Sequence, residues 1–297
     1  MFKNSIIMFS VSILCLFSDK ADAQINPLKS QYFANPFLFN PAKAGDGNAG
    51  KLATGISTQW NRVPGAPLIM SLTADAPVTS RVGLGALMIN DKSGLINRTV
   101  VMGAYSYKVP VSENSYLRFG LAAGYLSDYI NLNDVVSRNV NSDAAISNYN
   151  YQHENLLKAG FGAIFKIENL EIQSSWYKNN RLASQSNRTI DRSGITSQIK
   201  YSFGDPSGLV ISPMLGHRQI QGLKDYMNMG ANVAFLPNLD CSFIYHTNKT
   251  VTGGISYEYD KLLRLNCFYN SETPQIRGLT GGTFEMSLSM PFSLKHH

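Results

Sequence analysis

Alternation of apolar and polar side chains runs through most of this chain. Its clearest stretch is 283–292, TFEMSLSMPF, where Phe284, Met286, Leu288, Met290 and Phe292 alternate with Thr283, Glu285, Ser287 and Ser289. A period of two predicts a strand with one apolar and one polar face. The segment 115–126 repeats it, with Leu117, Phe119, Leu121, Ala123 and Tyr125 opposing Arg118, Gly120, Ala122 and Gly124. So does 155–167, where Leu157, Ala159, Phe161, Ala163, Phe165 and Ile167 oppose Lys158, Gly160, Gly162 and Lys166. Segments 194–203 and 226–235 follow the same rule. With 51–60, 67–76, 81–90, 98–109, 170–178, 209–218, 239–246, 251–259 and 262–269, they bring the number of predicted strands to fourteen.

The connections sort by length. Every second one is short: 77–80, 110–114, 168–169, 204–208, 237–238 and 260–261. The others include the long stretches 127–154, 179–193, 219–225 and 270–282, with 61–66, 91–97 and 247–250 of middling length. Short turns at one end and long loops at the other mark an outer-membrane barrel, with turns in the periplasm and loops outside. The fold class expected is therefore all-β: a transmembrane antiparallel β-barrel of about fourteen strands, occupying 51–297. Its apolar faces meet lipid and its Gly, Ser, Asn, Lys and Arg faces line a lumen. A lone Arg118 or Lys158 turned to the hydrocarbon would cost about 2 to 4 kcal/mol at the midplane, so the polar face belongs inside. A barrel has no free edge, so 283–292 must pair with 52–60. The alternative is a secreted β-sandwich with one wet face, which needs no even strand count.

Composition fits this reading. Hydrophobic residues make up 44% of the chain and charged residues only 15%, against about 25% charged in soluble domains. Beyond the first twenty residues no run is apolar enough for a spanning helix of about 20 residues. Residues 1–23 have the layout of a signal peptide: Lys3, an apolar core at 6–17, and Ala21-Asp22-Ala23 before Gln24. Cleavage and export to the outer membrane are expected, with a signal anchor as the alternative. Cys15 lacks the small preceding residue of a lipoprotein signal. The net charge of +6 comes without a basic block or patch, which argues against nucleic acid as a partner.

Between the signal and the first strand, 24–50 has no period. Asn26-Pro27, Asn35-Pro36 and Asn40-Pro41 force extended backbone and turns, and Tyr32, Phe33, Phe37 and Phe39 make the segment apolar. It reads as an irregular arm or plug, docked under or inside the barrel; a partner-binding peptide is the other reading.

Candidate chemistry is sparse. Cys241 and Cys267 fall two strands apart, at about 9.5 Å, too far for a disulfide, whose Cα atoms must come within about 7 Å. His217 and His246, with Asp191 or Asp225, sit near the barrel rim without a serine or a metal-ligand spacing. Gly83, Gly85 and Gly253-Gly254 are strand glycines rather than phosphate loops, since no helix follows them. No catalytic, cofactor or metal site is expected. Arg118, Lys158, Lys166, Lys200 and Arg264 face inward with Glu171, Glu258 and Glu285; they would pair across the lumen or draw an anionic ligand. Arg138, Arg181, Arg188, Arg192 and Lys224 lie in the long loops, which suit protein recognition. Arg138, Arg181, Arg188, Arg192, Arg118, Lys158 and Arg264 are the candidate partner-binding residues.

The arm also carries a motif. Gln31-Tyr32-Phe33-Ala34-Asn35-Pro36, followed by Phe39-Asn40-Pro41-Ala42-Lys43-Ala44-Gly45, resembles the QYxxNPxxxNPAxAG signature of the PorP/SprF family of type IX secretion membrane proteins. Gln59-Trp60, Gly65-Ala66-Pro67 and Ser71-Leu72 are similar to the family's next stretch, and the family usually carries Tyr where this chain has Lys43. The resemblance implies an outer-membrane protein of Bacteroidota serving type IX secretion or gliding. It would hold a secreted cargo, such as a surface adhesin, through the cargo's C-terminal sorting domain. Alternatively it would join the envelope-spanning motor complex through a periplasmic peptidoglycan-binding protein. A solute channel plugged by the arm, and a hydrolase at the rim, are the remaining readings.

Overall fold

The computed structural model describes residues 30–60, 65–130, 154–181, 193–205, 208–221, 225–274 and 277–293. Their strands are β1 (Gly50–Gln59), β2 (Leu68–Pro77), β3 (Val82–Ser93), β4 (Ile96–Ser112), β5 (Ser115–Ile130), β6 (Glu154–Ile167), β7 (Leu170–Arg181) and β8 (Gly194–Tyr201). Then come the two-residue β9 (Phe203–Gly204), β10 (Val210–Ile220), β11 (Tyr226–Leu236), β12 (Leu239–His246), β13 (Thr250–Tyr259), β14 (Leu263–Asn270) and β15 (Thr283–Phe292). Each pairs antiparallel with its neighbour in sequence, except that β10 spans from β8 and β9 to β11. β9 continues β8 beyond Ser202, so the barrel has fourteen staves and one short extra strand.

Closure comes from β15 against β1, in a register that sets Met290 opposite Leu52, Met286 opposite Ile56 and Phe284 opposite Thr58. The alternation read from sequence maps onto the wall. In β5 Leu121 is 60% exposed while the next residue, Ala122, is 6% exposed; in β15 the pair Phe284 and Glu285 stands at 46% and 1%. Period two turns successive side chains to opposite faces, and only the outward face suits hydrocarbon. Leu121→Arg, placing a charge on that face far from both rims, should weaken folding into lipid vesicles by about 2–4 kcal/mol, read as a lower urea midpoint. A variant as stable as the parent would overturn the assignment of faces.

Two departures from the sequence reading concern β4 and β5, which are 17 and 16 residues long, not twelve. The extensions at their far ends carry Asn97, Ser127 and Asp128, and Asp128 pairs with Arg98, where the expected strand began. The ladder therefore runs on past the apolar band, where lipid no longer imposes alternation. The middling loop expected at 91–97 shrinks to Gly94 and Leu95, with Gly94 at φ +59, a left-handed conformation that glycine adopts at no steric cost.

Candidate functional site

The arm lies within the barrel. From Ser30 to Ala49 it makes two 3-10 turns, Pro36–Leu38 and Pro41–Lys43, each opened by a proline whose fixed φ suits a first helical position. The Asn40 side chain accepts from Ala42 N at 2.9 Å and donates to Gln173 Oε1 at 3.0 Å. It thus caps the second turn and fastens it to β7 at once. Asn35 Nδ2 donates to Thr73 Oγ1 of β2 at 2.9 Å, and Ser175 Oγ donates to the Phe39 carbonyl at 2.6 Å. Phe37 is 1% exposed and Ala42 and Ala44 are fully buried. Asn35-Pro36 and Asn40-Pro41, which read as loop breakers, are pins, while Asn26-Pro27 lies outside the described residues.

Charge fixes the arm near the short-turn end. Lys43 Nζ lies 2.8 Å from Glu171 and 2.9 Å from Asp46. Asp46 also accepts from Tyr116 OH at 2.9 Å and faces Arg118 Nη1 at 3.3 Å. Arg118 donates to the Gly45 carbonyl and to Ser106 Oγ, while Gly45 N donates to Asp75. Burial opposes the charge on Lys43, but Asp46 and Glu171 outweigh it and hold its pKa above the ordinary 10.5. Charge-assisted contacts of this kind are stronger than neutral ones and costly to break when buried. At the other end Ser30 exchanges hydrogen bonds with Asn270, the last residue of β14. The arm therefore runs from the long-loop end to the short-turn end of the lumen.

A row of glycines makes room for it. A Cβ on Gly120 would lie 2.2 Å from Ala42 N, and one on Gly83 would lie 2.1 Å from the Ala44 carbonyl oxygen; Gly162 and Gly85 face Asn40 and the Phe37 ring as closely. Gly83, Gly85, Gly120 and Gly162 are the arm's footprint on β3, β5 and β6, whereas Gly124 and Gly160 make room for Met102 and Tyr177 of the wall itself.

Two cavities remain beside the arm. One, of about 150 Å³, lies towards the long-loop end between the arm and β3–β8 and β10, with Leu38 and Phe39 below, Val100 and Ile220 on its walls, and Lys158 and Arg218 among its polar residues. The other, of about 500 Å³, lies towards the short-turn end against β1 and β13–β15, lined by Lys43, Lys51, Asp75, Glu258 and Arg264.

The inward charges do not simply pair across an open lumen, because the arm intervenes. Arg118 and Glu171 meet arm residues. Lys200 lies 3.6 Å from Glu171, and Arg264 lies 3.6 Å from Glu258 with Asp240 closer still, all between neighbouring or near-neighbouring staves. Arg118 is 4% exposed beneath the arm, Lys158 borders the loop-side cavity and Arg264 the turn-side one. Arg181 ends β7, while Arg138, Arg188 and Arg192 lie outside the described residues. At the rim His217 Nε2 lies 3.4 Å from Asp225, and buried His246 meets Thr252 at 3.0 Å. Among the described residues no group of three or more His, Cys, Asp or Glu could hold a metal. Of the motif residues, Gln31, Tyr32, Asn35, Pro36, Asn40, Pro41, Ala44 and Gly45 sit in the lumen. Trp60, Gly65, Ala66 and Pro67 form the β1–β2 hairpin end, where Trp60 N donates to Gly282 O and Gly94 N to Gly65 O. Asp46, Asp75, Tyr116 and Ser106 were not singled out from sequence; the signal available was Asp46 directly after the motif.

A fourteen-stave cylinder with an apolar outer face and a polar lumen threaded by its own N-terminal segment defines an outer-membrane β-barrel protein. Two solved barrels share the fold. The P. putida toluene transporter TodX is 10% identical, with a TM-score of 0.52 over 89% of this chain and 95% of that one. The Acinetobacter baumannii outer membrane protein Omp33 is 9% identical, with a TM-score of 0.51 over 82% of this chain and 98% of that one. No curated protein matches the chain. The family described as type IX secretion system membrane protein PorP/SprF matches residues 21–290, and the chain belongs to it.

Proposed function

We propose that this barrel anchors an exported surface protein, of adhesin type, at the outer membrane by holding its C-terminal sorting domain, in service of type IX secretion or gliding. The chain is exported through a signal removed after Ala23, and residues 24–50 are the plug of the barrel formed by 51–297. One observation carries the reading: the arm fills the lumen from the Ser30–Asn270 contact to the Lys43–Glu171 pair. A lumen so filled favours binding at its mouth over conduction through it. The loops bearing Arg138, Arg188 and Arg192 then supply recognition, and the role needs no catalysis.

Deleting the gene should release one large exported protein from the cell surface into the medium. The same protein should come down with the barrel from native membranes in gentle detergent. A partner that stays on the surface after deletion overturns the proposal. A second reading, contact with a periplasmic peptidoglycan-binding protein of the motor complex, is favoured by the turn-side cavity of about 500 Å³ and its mixed charges.

A further inference from the structure

We propose that the turn-side mouth of the lumen carries a docking surface for an extended acidic segment of a periplasmic protein, built on Lys108, Lys166 and Lys200. It goes beyond the anchoring role, which concerns the opposite mouth, and does not depend on which periplasmic protein supplies the segment.

The three lysines belong to one row on the inner wall. Tyr116 stands opposite Lys166, Lys166 opposite Glu171 and Glu171 opposite Lys200, a line through β5, β6, β7 and β8. Lys108 on β4 lies beside it, opposite Arg118, with its Nζ 4.3 Å from the centre of the Tyr116 ring. Lys43 of the arm, Lys108, Arg118, Lys166 and Lys200 thus meet only two carboxylates, Asp46 and Glu171, and both are spent on the arm. Asp46 takes Lys43, Arg118 and the Tyr116 hydroxyl. Glu171 holds Lys43 at 2.8 Å while Lys200 stays at 3.6 Å. The Tyr116 ring aside, Lys108 and Lys166 make no ion pair or hydrogen bond among the described residues. Asp75, bound to Gly45 N, adds no counter-charge, since Lys51 faces it across β1 and β2. Glu113, Glu168 and Asp205 are exposed on the adjoining turns, where solvent screens them, and form no ion pair with the five cations among the described residues. In the short turns between β4 and β10, only Pro206 and Ser207 lie outside the described residues, and neither carries charge. The chain beyond 293 contains no acidic side chain.

Exposure and spacing define the occupant. Arg118 and Lys43 are buried, whereas Lys108 and Lys166 are half-buried and the Lys200 side chain is 31% exposed. The layer that meets solvent is therefore lysine, at the end where the turns of such barrels face the periplasm. A mouth lined by one sign of charge concentrates ligands of the other sign. Residues two staves apart are separated by about 9.5 Å, as Lys108, Lys166 and Lys200 are in turn along β4, β6 and β8. Converging their ammonium groups on one compact phosphate would crowd like charges, and lysine lacks the bidentate fork that arginine brings to phosphate. Separate carboxylates leave each lysine in place. In a polyproline II chain every third residue faces the same way about 9.3 Å further on, so an extended segment with an acid at every third position complements the row.

The test uses the full-length protein in nonionic detergent at low salt and calorimetric titration with acetyl-Glu-Pro-Pro-Glu-Pro-Pro-Glu-amide. Binding should be at least tenfold tighter than for the same peptide with Gln in place of Glu, and than for inorganic phosphate. The double variant Lys108→Gln/Lys166→Gln should weaken it at least tenfold at an unchanged urea midpoint, because no ion pair holds either lysine. Arg81→Gln/Lys261→Gln removes the same charge from exposed positions on other turns of this mouth and should change it less than twofold. No binding, equal binding of the Gln peptide or of phosphate, or an equal loss from the two double variants overturns the proposal. Should Lys108→Gln/Lys166→Gln fail to fold, Lys166→Gln alone decides, with a loss of about threefold expected against none for Lys261→Gln. In cells, the exported surface protein should stay attached when Lys108→Gln/Lys166→Gln replaces the parent. Its release would overturn the assignment of the row to a separate periplasmic partner, while gene deletion judges the anchoring role independently.

Discussion

Gly120→Val is expected to unseat the arm. Gly120 is on the inner face of β5, where an added Cβ would come within 2.2 Å of Ala42 N and 2.4 Å of the Pro41 carbonyl carbon. Neither atom can retreat easily. Pro41–Lys43 is a 3-10 turn capped by Asn40, and Asn40 is itself tied to Gln173. The opposing atoms belong to backbone rather than to the tip of a flexible side chain, so the cost falls at or above the upper end of ordinary overpacking, about 3 kcal/mol. Against a net stability of about 5–15 kcal/mol, that is a large share. The arm should become accessible to protease in detergent micelles, and the urea midpoint should drop. Gly103→Val is the matched control, because Gly103 faces outward on the adjacent strand with nothing within 4 Å. If the arm of Gly120→Val resisted protease as the parent's does, the arm's seat on β5 would be wrong.

Gly120 also shows how far the sequence could be read. Alternation placed it on the lumen face of a strand, and the structure agrees, because lipid on one side and a lumen on the other impose period two wherever the wall lies in the membrane. The same logic made 283–292 the closing strand opposite 52–60, and β15 pairs with β1 over those residues. Alternation could not tell that a glycine was there to admit another piece of chain. That requirement comes from a contact between Gly120 and Ala42, 78 positions apart, and leaves no periodic trace. The buried Leu87, Val100, Leu126 and Leu156 escaped notice for the reverse reason: within strands whose outer faces are apolar too, inward apolar residues blur the alternation instead of standing out. The arm was legible as irregular and apolar, and its motif was legible as a family resemblance. Its path was not, since it is fixed by partners such as Glu171, Arg118 and Asn270, scattered along the barrel. Arg118 illustrates the limit, having an inward direction that was plain and a partner, Asp46, that lay in the one segment without a period.

Glu171→Met and Lys43→Met are each expected to destabilise the protein by about 3–5 kcal/mol, and the double variant by clearly less than their sum. Lys43 is 8% exposed and Glu171 is 6% exposed. Removing Glu171 leaves Lys43 with Asp46 alone, and Asp46 is already shared with Arg118 and Tyr116. Removing Lys43 leaves a buried carboxylate facing Lys200 at 3.6 Å, a longer contact than the one lost. Either single change strands a charge out of water. The double change removes both charges and substitutes two thioether chains of similar length, so the desolvation penalty disappears along with the attraction. A coupling of about 1–3 kcal/mol between the two sites should follow. Because the pKa of Lys43 is held above 10.5, the lysine's share of the pair's contribution is complete below that pH and is lost only as pH rises through the higher folded value. The cycle is therefore measurable at neutral pH by urea titration in vesicles. Strict additivity of the two changes would mean that the arm is not held by this pair. It would also remove the reason why a lysine can occupy the place where the family usually carries a tyrosine, since only the carboxylates of Glu171 and Asp46 make that buried position tolerable for a cation.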